Sequence, residues 1–556
     1  MSTRRDRMRE IAEVLSRHGL GYLADLLGLD RWVPFRRGLP GHERHGPPHT
    51  RPEHVRLALE ELGPTFVKLG QVLSTRPDLV PPEYRAELAK LQDAAAQVPA
   101  EVVRELIGHE CGAHLATLFA TFAFQPLAAA SIGQAHAATL HDGTDVVVKV
   151  RRPGAVEQVE QDLEILQNLA ARASRHWEAA AGYDLVGLAD EFARTLRSEL
   201  DYLREGRSAE RFVANFADDP GLHIPRVFWE ATTSRVLTLE RIRGIKVDDL
   251  DALDAAGVDR RALAERATRV TAQMVFRDGF FHADPHPGNF FIESDGRIGL
   301  IDFGMVGAVD DRLRDRLAAL LLGLTRQDAD EVAGALLALG TTRGTVNRAR
   351  LRDDLAALLS RYAGHAVGEI AFGQAIGDVF AIMRRHHLHV PHDVALLLKV
   401  VIMDEGMAAQ LDPEFRLGGV LAPYARDLVM RHLSPAALAT RLGRAGIDAA
   451  RLGVELPEQL RRLLAAVEDG GVEVRLRPDE LESIMVRAER LGNRLVAGVI
   501  AAAFIDGVAE LMAGDPQRWR ARQAQAFAIG FGAAGTLAAY IAWSAGRGRR
   551  SRAPRA

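Results

Sequence analysis

The most informative stretch of this chain is His282-Ala-Asp284-Pro-His-Pro-Gly-Asn289, and Asp302-Phe303-Gly304 follows it. Asp284, Asn289 and Asp302 are separated by 5 and then 13 residues. Carboxylate and amide oxygens are the hard ligands that Mg²⁺ prefers, and phosphoryl transfer needs a carboxylate near the attacking oxygen. The pattern therefore predicts a magnesium site at Asn289 and Asp302, with Asp284 as the catalytic carboxylate.

A lysine farther upstream adds to this set. Asp145-Val-Val-Val-Lys149-Val150 has the β-branched composition of a strand, and a lysine there can meet the α- and β-phosphates of a nucleotide. In this order the pieces resemble the catalytic set of protein kinases, with Ala283 in place of the arginine of the H-R-D loop. A glutamate should pair with Lys149. Glu164 is 15 residues on and Glu205 is 56 residues on, and spacing alone favours Glu164.

The composition is that of a globular protein. The chain has 556 residues, of which 47% are hydrophobic and 26% charged, and this excludes a disordered chain or a transporter made mostly of membrane spans. The net charge of −4 gives no electrostatic reason to expect nucleic acid as a partner. A single cysteine, Cys111, excludes an internal disulfide. Only five of the 70 basic residues are lysines, which makes each a candidate for a position that needs an ammonium: Lys68, Lys90, Lys149, Lys246 and Lys399.

Local patterns divide the chain into strands and helices. Strand patterns occur within 119–150 and at 234–239. Helical patterns occupy 155–180 and 184–216 and dominate after residue 260. A small antiparallel sheet followed by a larger helical part predicts a two-lobed α+β domain of the protein kinase-like class.

Two features of an ordinary kinase are missing. In the loop Ala128–Ala135 only Gly133 readily takes a positive φ, so its amides should wrap a γ-phosphate less freely than those of a glycine-rich loop. In addition, Asp302-Phe303-Gly304 runs almost directly into the helical pattern 310–322. The platform that docks a protein substrate in ordinary kinases is therefore missing.

A further motif points to one family. Pro64-Thr-Phe-Val-Lys68-Leu-Gly70-Gln71 resembles the K-x-G-Q signature of the UbiB family of atypical kinases, and the resemblance covers roughly residues 50–420. The alanine-rich loop, the Glu199-x-Asp201 pair and the short segment after D-F-G fit the same family. The resemblance implies that the K-x-G-Q helix lies over the active site.

The resemblance also implies individual roles. Lys68 and Gln71 should face the nucleotide, Glu199 and Asp201 should hold Lys68, and Glu205 rather than Glu164 should pair with Lys149. The complete predicted site has three parts. The catalytic residues are Asp284, Lys149, Glu205, Lys68 and Gln71; the cofactor-binding residues are Ala129, Ala130, Ser131, Gly133, Lys149, Glu240, Glu199 and Asp201; the metal ligands are Asn289 and Asp302.

The predicted domain order ends in a hydrophobic pair of segments. The 21 residues Ala526–Gly546 carry no charge, and Leu495–Met512 could form the second helix of a hairpin although Asp506 and Glu510 interrupt it. The alternative is an alanine-rich helical pair packed on the domain.

The predicted parts are an N-terminal helix and linker (1–52), a helical K-x-G-Q extension (53–110), an N-lobe with inserted helices (111–240), a helical C-lobe (241–480), a membrane-associating two-helix hairpin (490–546) and a basic tail (547–556).

The resemblance implies a function at a membrane. It favours a Mg-ATP-dependent ATPase, binding ATP or ADP with Mg²⁺, that supports quinone or other isoprenoid-lipid biosynthesis on the cytoplasmic face of the cell membrane. A true kinase acting on a small molecule or protein and a nucleotide-sensing scaffold are the alternatives. Expected partners are ATP, an isoprenoid or quinone-like lipid, the membrane and biosynthetic proteins, and the sequence leaves a homodimer open.

Overall fold

The structure is a computed structural model, and it describes residues 4–21, 51–74, 76, 79–91, 97–130, 132–176, 184–340, 346–363 and 372–432. The chain divides into two units, Met1–Met430 and Arg431–Ala556, and all but the last two described residues belong to the first. The predicted hairpin 490–546 and the tail 547–556 lie outside the described residues. Among the helices that are described, none has the length and apolar character needed to cross a membrane.

The N-lobe is built on a five-stranded antiparallel sheet. Its strands follow the order β1-β3-β4-β6, with β2 paired to β3, and their bounds are β1 Thr121–Phe122, β2 Ala128–Ala129, β3 Gly133–Thr139, β4 Asp145–Arg151 and β6 Val236–Glu240. Side chains alternate across β4 because successive residues of a strand point to opposite faces. Val146, Val148 and Val150 are buried on one face, whereas Val147 and Lys149 line a cavity on the other.

Helices precede the N-lobe sheet in the chain and are also inserted between β4 and β6. Helices α5 Ala100–Cys111 and α6 Leu115–Leu118 precede the sheet, and α7 Ala155–His176, α8 Leu185–Glu199 and α9 Tyr202–Asn215 follow β4. The buried face of α5 packs on the valines of β4, so this helix belongs structurally with the N-lobe. The single helix predicted for 184–216 is two helices. The break occurs because Asp201 adopts an extended conformation and accepts a hydrogen bond from the Leu203 amide as the N-cap of α9.

The N-terminal helices form a separate layer. They are α1 Arg4–Arg17, α2 Arg51–Leu62, α3 Pro64–Ser74 and α4 Pro82–Leu88. Buried residues of α1, α2 and α3 share one hydrophobic cluster with Ile165 and Leu169 of α7. The glycine of the K-x-G-Q helix α3 provides space, because a Cβ on Gly70 would lie 2.2 Å from Leu91 Cδ1 and 2.9 Å from Leu59 Cδ1.

The C-lobe combines two small sheets with many helices. A four-stranded sheet follows the order β5-β10-β9-β7, and β8 pairs with β11 in a two-stranded ladder. The strands are β5 Leu222–His223, β7 Ile245–Lys246, β8 Phe280–His282, β9 Phe290–Ile292, β10 Ile298–Leu300 and β11 Val306–Ala308. The described helices are α10 Leu250–Ala255, α11 Arg260–Ala272, α12 Asp311–Thr325, α13 Ala329–Leu339, α14 Arg348–Tyr362, α15 Phe372–Arg385, α16 His392–Leu411 and α17 Leu417–His432.

The segment between Asp302-Phe303-Gly304 and helix α12 is short and contains a single strand, β11. It runs antiparallel to β8, so that Val306 lies opposite His282, and α12 begins at Asp311 with Asp310 as its N-cap. The chain therefore passes from D-F-G through one short strand directly into a helix, as the sequence predicts.

Candidate active site

The lysine of β4 lies at the centre of a charge cluster. Lys149 Nζ is 2.5 Å from Glu205 Oε1 and 3.6 Å from Asp302 Oδ1. Burial alone would lower the pKa of Lys149, but the charges of Asp302 and Glu205 outweigh burial and raise it. Lys149 is therefore a permanent cation. The other glutamate that the sequence leaves open, Glu164, is exposed and forms an ion pair with Arg4.

Glu205 also connects the N-lobe to the D-F-G segment. Its Oε1 accepts a hydrogen bond from the Phe303 amide at 3.3 Å, and the Phe303 ring is fully buried. That ring packs against Phe212 of α9 and against His282, with centroids 5.4 and 5.8 Å away. One glutamate thus joins Lys149 on the sheet to the backbone that carries Asp302.

The catalytic loop is tied to D-F-G by a neutral histidine. His282 is buried, and burial lowers its pKa. Its Nδ1 accepts from the Asp284 amide at 3.2 Å, so Nε2 carries the proton and donates to the Asp302 carbonyl oxygen. His282 therefore positions the backbone of both aspartates.

Asn289 and Asp302 offer oxygen atoms of the kind that Mg²⁺ binds. The side-chain nitrogen Nδ2 of Asn289 donates to the backbone carbonyl oxygen of Asp284 at 3.0 Å. The other end of that side chain, Oδ1, is the acceptor. Lys149 is the main cause that lowers the pKa of Asp302 to about 2, so its carboxylate is ionised. Asp302 holds a φ of 65°, a strained conformation that is typical of functional sites. No group of three or more His, Cys, Asp or Glu residues that could hold a metal occurs in the described ranges. A Mg²⁺ ion held here would complete its shell with phosphate oxygens and water.

Asp284 has a partner that the motifs do not include. Lys399 of α16 lies with its Nζ 2.7 Å from Asp284 Oδ1, and the lysine side chain is only 11% exposed. Burial acts to raise the pKa of Asp284, but Lys399 outweighs it and the pKa lies below its usual value. The rarity of lysine in this chain is the only sequence signal that points to Lys399.

Lys149, Glu205, Asp284, Asn289 and Asp302 line one cavity of about 610 Å³. Its apolar lining includes Val147 and Leu239 of the N-lobe sheet and Phe291 of β9 in the C-lobe. These apolar side chains suit a planar base, while the lysines and carboxylates of the same lining suit phosphates and a metal ion. The predicted residues that line the cavity are Lys68, Ala130, Gly133, Lys149, Glu199, Glu205, Glu240, Asp284, Asn289 and Asp302.

Of the four cofactor-binding residues predicted in the loop Ala128–Ala135, Ala130 and Gly133 line the cavity. Gly133 is not in the left-handed region but opens β3, and a Cβ there would lie 2.4 Å from Tyr202 Oη and 2.7 Å from the Val150 carbonyl oxygen. The glycine is needed for space rather than for a positive φ. Ala129 pairs with Gln134 in the β2–β3 ladder and does not line the cavity, and Ser131 lies outside the described residues.

The K-x-G-Q helix contributes one of its two predicted residues. Lys68 Nζ is 3.1 Å from Glu199 Oε2, and their side chains are 19% and 9% exposed. Gln71 does not face the cavity, because its amide donates to the Leu91 carbonyl oxygen at 3.2 Å. Asp201 does not hold Lys68 either, because its carboxylate caps α9.

The side chain of Glu240, a predicted cofactor-binding residue, has protein partners as well. Glu240 lines the cavity, but its carboxylate accepts from the Arg226 amide at 3.2 Å and lies 3.4 Å from His223 Nε2. Its side chain is thus engaged by protein groups.

Family models and relatives cover this same architecture. A model described as the ABC1 atypical kinase-like domain matches residues 90–336, the UbiB helical domain matches 355–416, and the ABC1/UbiB kinase-like C-terminal domain matches 479–547. A protein of Marinobacter nauticus named "Probable protein kinase UbiB" is 34% identical over 518 residues, which is 91% of this chain and 94% of that protein. The Arabidopsis thaliana protein "ACTIVITY OF BC1 COMPLEX KINASE 7, chloroplastic" is 36% identical over 81% of this chain and 66% of its own length.

A solved structure also aligns with part of the chain. It is a Mycobacterium tuberculosis protein in complex with erythromycin, 26% identical, covering 64% of this chain and 90% of its own with a TM-score of 0.46. The Marinobacter nauticus relative covers 91% of the chain, and the match to the ABC1 domain includes Lys149, the catalytic loop and Asp302-Phe303-Gly304. The chain belongs to the UbiB family of atypical, kinase-like proteins.

Proposed function

We propose that this protein is a Mg-ATP-dependent ATPase that supports quinone or other isoprenoid-lipid biosynthesis at the cytoplasmic face of the cell membrane. The observation that carries the ATPase is the cluster of Lys149, Glu205 and Asp302 in one cavity with Asp284. In such a site Lys149 would contact the nucleotide phosphates, and Asn289 with Asp302 would hold Mg²⁺, which neutralises phosphate charge during transfer. Asp284 would orient the attacking water.

Hydrolysis is favoured over phosphorylation of a protein for a steric reason. Only Met305–Asp310 separate D-F-G from α12, and this segment is paired with β8, so it offers no platform for a peptide. The Lys68–Glu199 ion pair, in addition, holds α3 at the edge of the cavity. An acceptor small enough to pass α3, such as water, suits this arrangement better than a protein side chain.

The lipid and membrane parts of the proposal rest on other grounds. The resemblance to the UbiB family implies quinone metabolism, and the uncharged segment Ala526–Gly546 is long enough to span a bilayer. A kinase domain must meet ATP in the cytoplasm. Paired spans would keep both the domain and the five arginines after Gly546 on that side, in accord with the positive-inside tendency.

A single assay tests the proposal against its alternatives. Purified full-length protein is given Mg-ATP with and without vesicles that contain a quinone-like lipid, and both free phosphate and protein-bound phosphate are measured. We expect phosphate release that requires Mg²⁺, rises with the lipid and is lost in Asp302→Asn, with Lys90→Ala as the matched control because Lys90 is 61% exposed. Transfer to the protein or an added hydroxyl compound without release would favour a kinase. Nucleotide binding with neither product would favour a scaffold.

A further inference from the structure

A lysine outside every nucleotide-binding motif reaches the catalytic loop. Lys399 lies in the second turn of α16, and Asp284 is 115 residues earlier in the chain. The Nζ–Oδ1 distance of 2.7 Å is that of a charge-assisted hydrogen bond. The Asp284 side chain is 38% exposed toward the cavity, whereas Lys399 is 11% exposed and does not line it. The Lys399 ammonium therefore contacts the Asp284 carboxylate from the side away from the cavity.

The contact uses one carboxylate oxygen only. Within the described part of the chain, Lys399 is the only side chain that bonds the Asp284 carboxylate, and it does so through Oδ1. The backbone of Asp284 is held separately, because its amide donates to His282 and its carbonyl accepts from Asn289. The loop therefore fixes the backbone, while Lys399 fixes the rotation of the side chain and leaves Oδ2 available to an acceptor.

The helix that carries Lys399 is itself anchored near its start. His392 and Lys399 are seven residues apart, two turns of helix, so they lie on the same side of α16. His392 Nδ1 is 2.8 Å from Glu191 Oε1, which also accepts from Arg76 Nη1 at 3.0 Å. Arg76 donates in addition to the Val390 carbonyl oxygen at 3.3 Å. Glu191 of α8 thus holds this side of α16 at its start, Arg76 bonds both Glu191 and the chain just before the helix, and the catalytic loop contacts the helix two turns later.

We propose that Lys399 is a positioning residue for phosphoryl transfer, which orients the Asp284 carboxylate so that its second oxygen meets the attacking water or hydroxyl. The inference rests on the proposed function, since it needs a reaction at Asp284. It assigns the C-lobe helix α16 a part in the reaction that no motif of the sequence indicates. Stability alone explains this contact poorly, because burying the lysine costs part of the attraction and water screens Asp284, whose side chain is 38% exposed.

The test is a double-mutant cycle on the full-length protein. Lys399→Met, Asp284→Asn and the double variant are compared with wild type for kcat and KM of Mg-ATP-dependent phosphate release, with Lys90→Met as the control at an exposed lysine. We expect Lys399→Met to lower kcat about tenfold or more with KM for ATP changed less than about twofold, since Lys149, Asn289 and Asp302 remain. In the Asp284→Asn background the same change should alter kcat less than about twofold, because the residue that Lys399 orients is gone. Lys399→Arg should recover part of the activity.

Each result separates the alternatives. Equal losses from Lys399→Met in both backgrounds, or a loss expressed in KM alone, would show that Lys399 acts on structure or on nucleotide and would overturn the inference. Unchanged kcat in Lys399→Met would also overturn it. If Lys399→Met does not fold, Lys399→Gln takes its place in the cycle, with the same expectations. A wild-type protein that neither releases nor transfers phosphate refutes the proposed function, and that result is read before any variant is made.

Discussion

Asp404 should make the stability of this protein fall as pH rises, and replacing it with asparagine should remove that contribution. The side chain lies on α16, is 2% exposed and accepts a hydrogen bond from Thr271 Oγ1 at 3.3 Å. No basic side chain of the described residues forms an ion pair with it. Burial raises the pKa of Asp404 to about 7, against the weaker opposite effect of the Thr268 and Thr271 hydroxyls.

The sign of the effect follows from the two pKa values. Below pH 4 Asp404 holds its proton in both the folded and the unfolded chain, so it adds no pH dependence to the free energy of unfolding. Between pH 4 and 7 the unfolded chain releases the proton while the folded chain retains it, so stability falls as pH rises. The full difference between an ordinary pKa of about 4 and one of about 7 corresponds to about 4 kcal/mol. Asparagine has nearly the shape of the neutral acid and cannot ionise, so the variant should avoid this loss.

The measurement is the melting temperature of wild type and Asp404→Asn from pH 5 to pH 8. We expect a small difference at pH 5 that grows in favour of the variant and levels off above pH 7. Asp393→Asn is the matched control, because Asp393 is exposed in the first turn of the same helix and its difference from wild type should stay flat over this range. A constant difference for Asp404→Asn, or a variant that is less stable at pH 8, would refute the reasoning.

Four further variants address the cavity. Asp302→Asn should weaken Mg²⁺-dependent nucleotide binding strongly, and equal heat stabilisation of variant and wild type by ATP, with the same Mg²⁺ dependence, would contradict the metal assignment. Ala130→Gly should loosen the loop, raise autophosphorylation and change the preference between ATP and ADP, which labelled-phosphate transfer and nucleotide titrations would detect. Lys68→Ala should keep ATP binding but increase phosphate transfer to the protein. Lys149→Ala, by contrast, should lose affinity for ATP. If both variants lose ATP binding equally, Lys68 is a direct nucleotide ligand.

The sequence is sufficient for the class of fold and for the chemistry of the loops. The β-branched run at Asp145–Val150 specifies β4, because its alternation matches the period of a strand with one buried face. The spacing of Asp284, Asn289 and Asp302 specifies the phosphate end of the cavity, because these residues are close in the chain and one short hairpin brings them together. The absence of a long segment after D-F-G is likewise a property of the chain itself.

The roles of glycines depend on what packs against them. Gly133 is the one residue of the loop Ala128–Ala135 that readily takes a positive φ, yet its backbone is extended and Tyr202 occupies the space that a Cβ would need. Gly70 is similarly enclosed by Leu59 and Leu91. Such close approaches come from residues distant in sequence, and no local pattern records them.

Pairing over long distances is what only the tertiary structure decided. Spacing favours Glu164 as the partner of Lys149 and only the family resemblance implies Glu205; the contact that the structure shows spans 56 residues, and the Lys399–Asp284 contact spans 115. Periodicity and spacing report on neighbours within a helix or strand, whereas these contacts depend on how whole elements pack. For the same reason Gln71 bonds the chain at Leu91 instead of facing the cavity. Residue types and short-range spacing thus determine which chemistry is available to this protein, and the packing of α9 and α16 determines which side chains hold it in place.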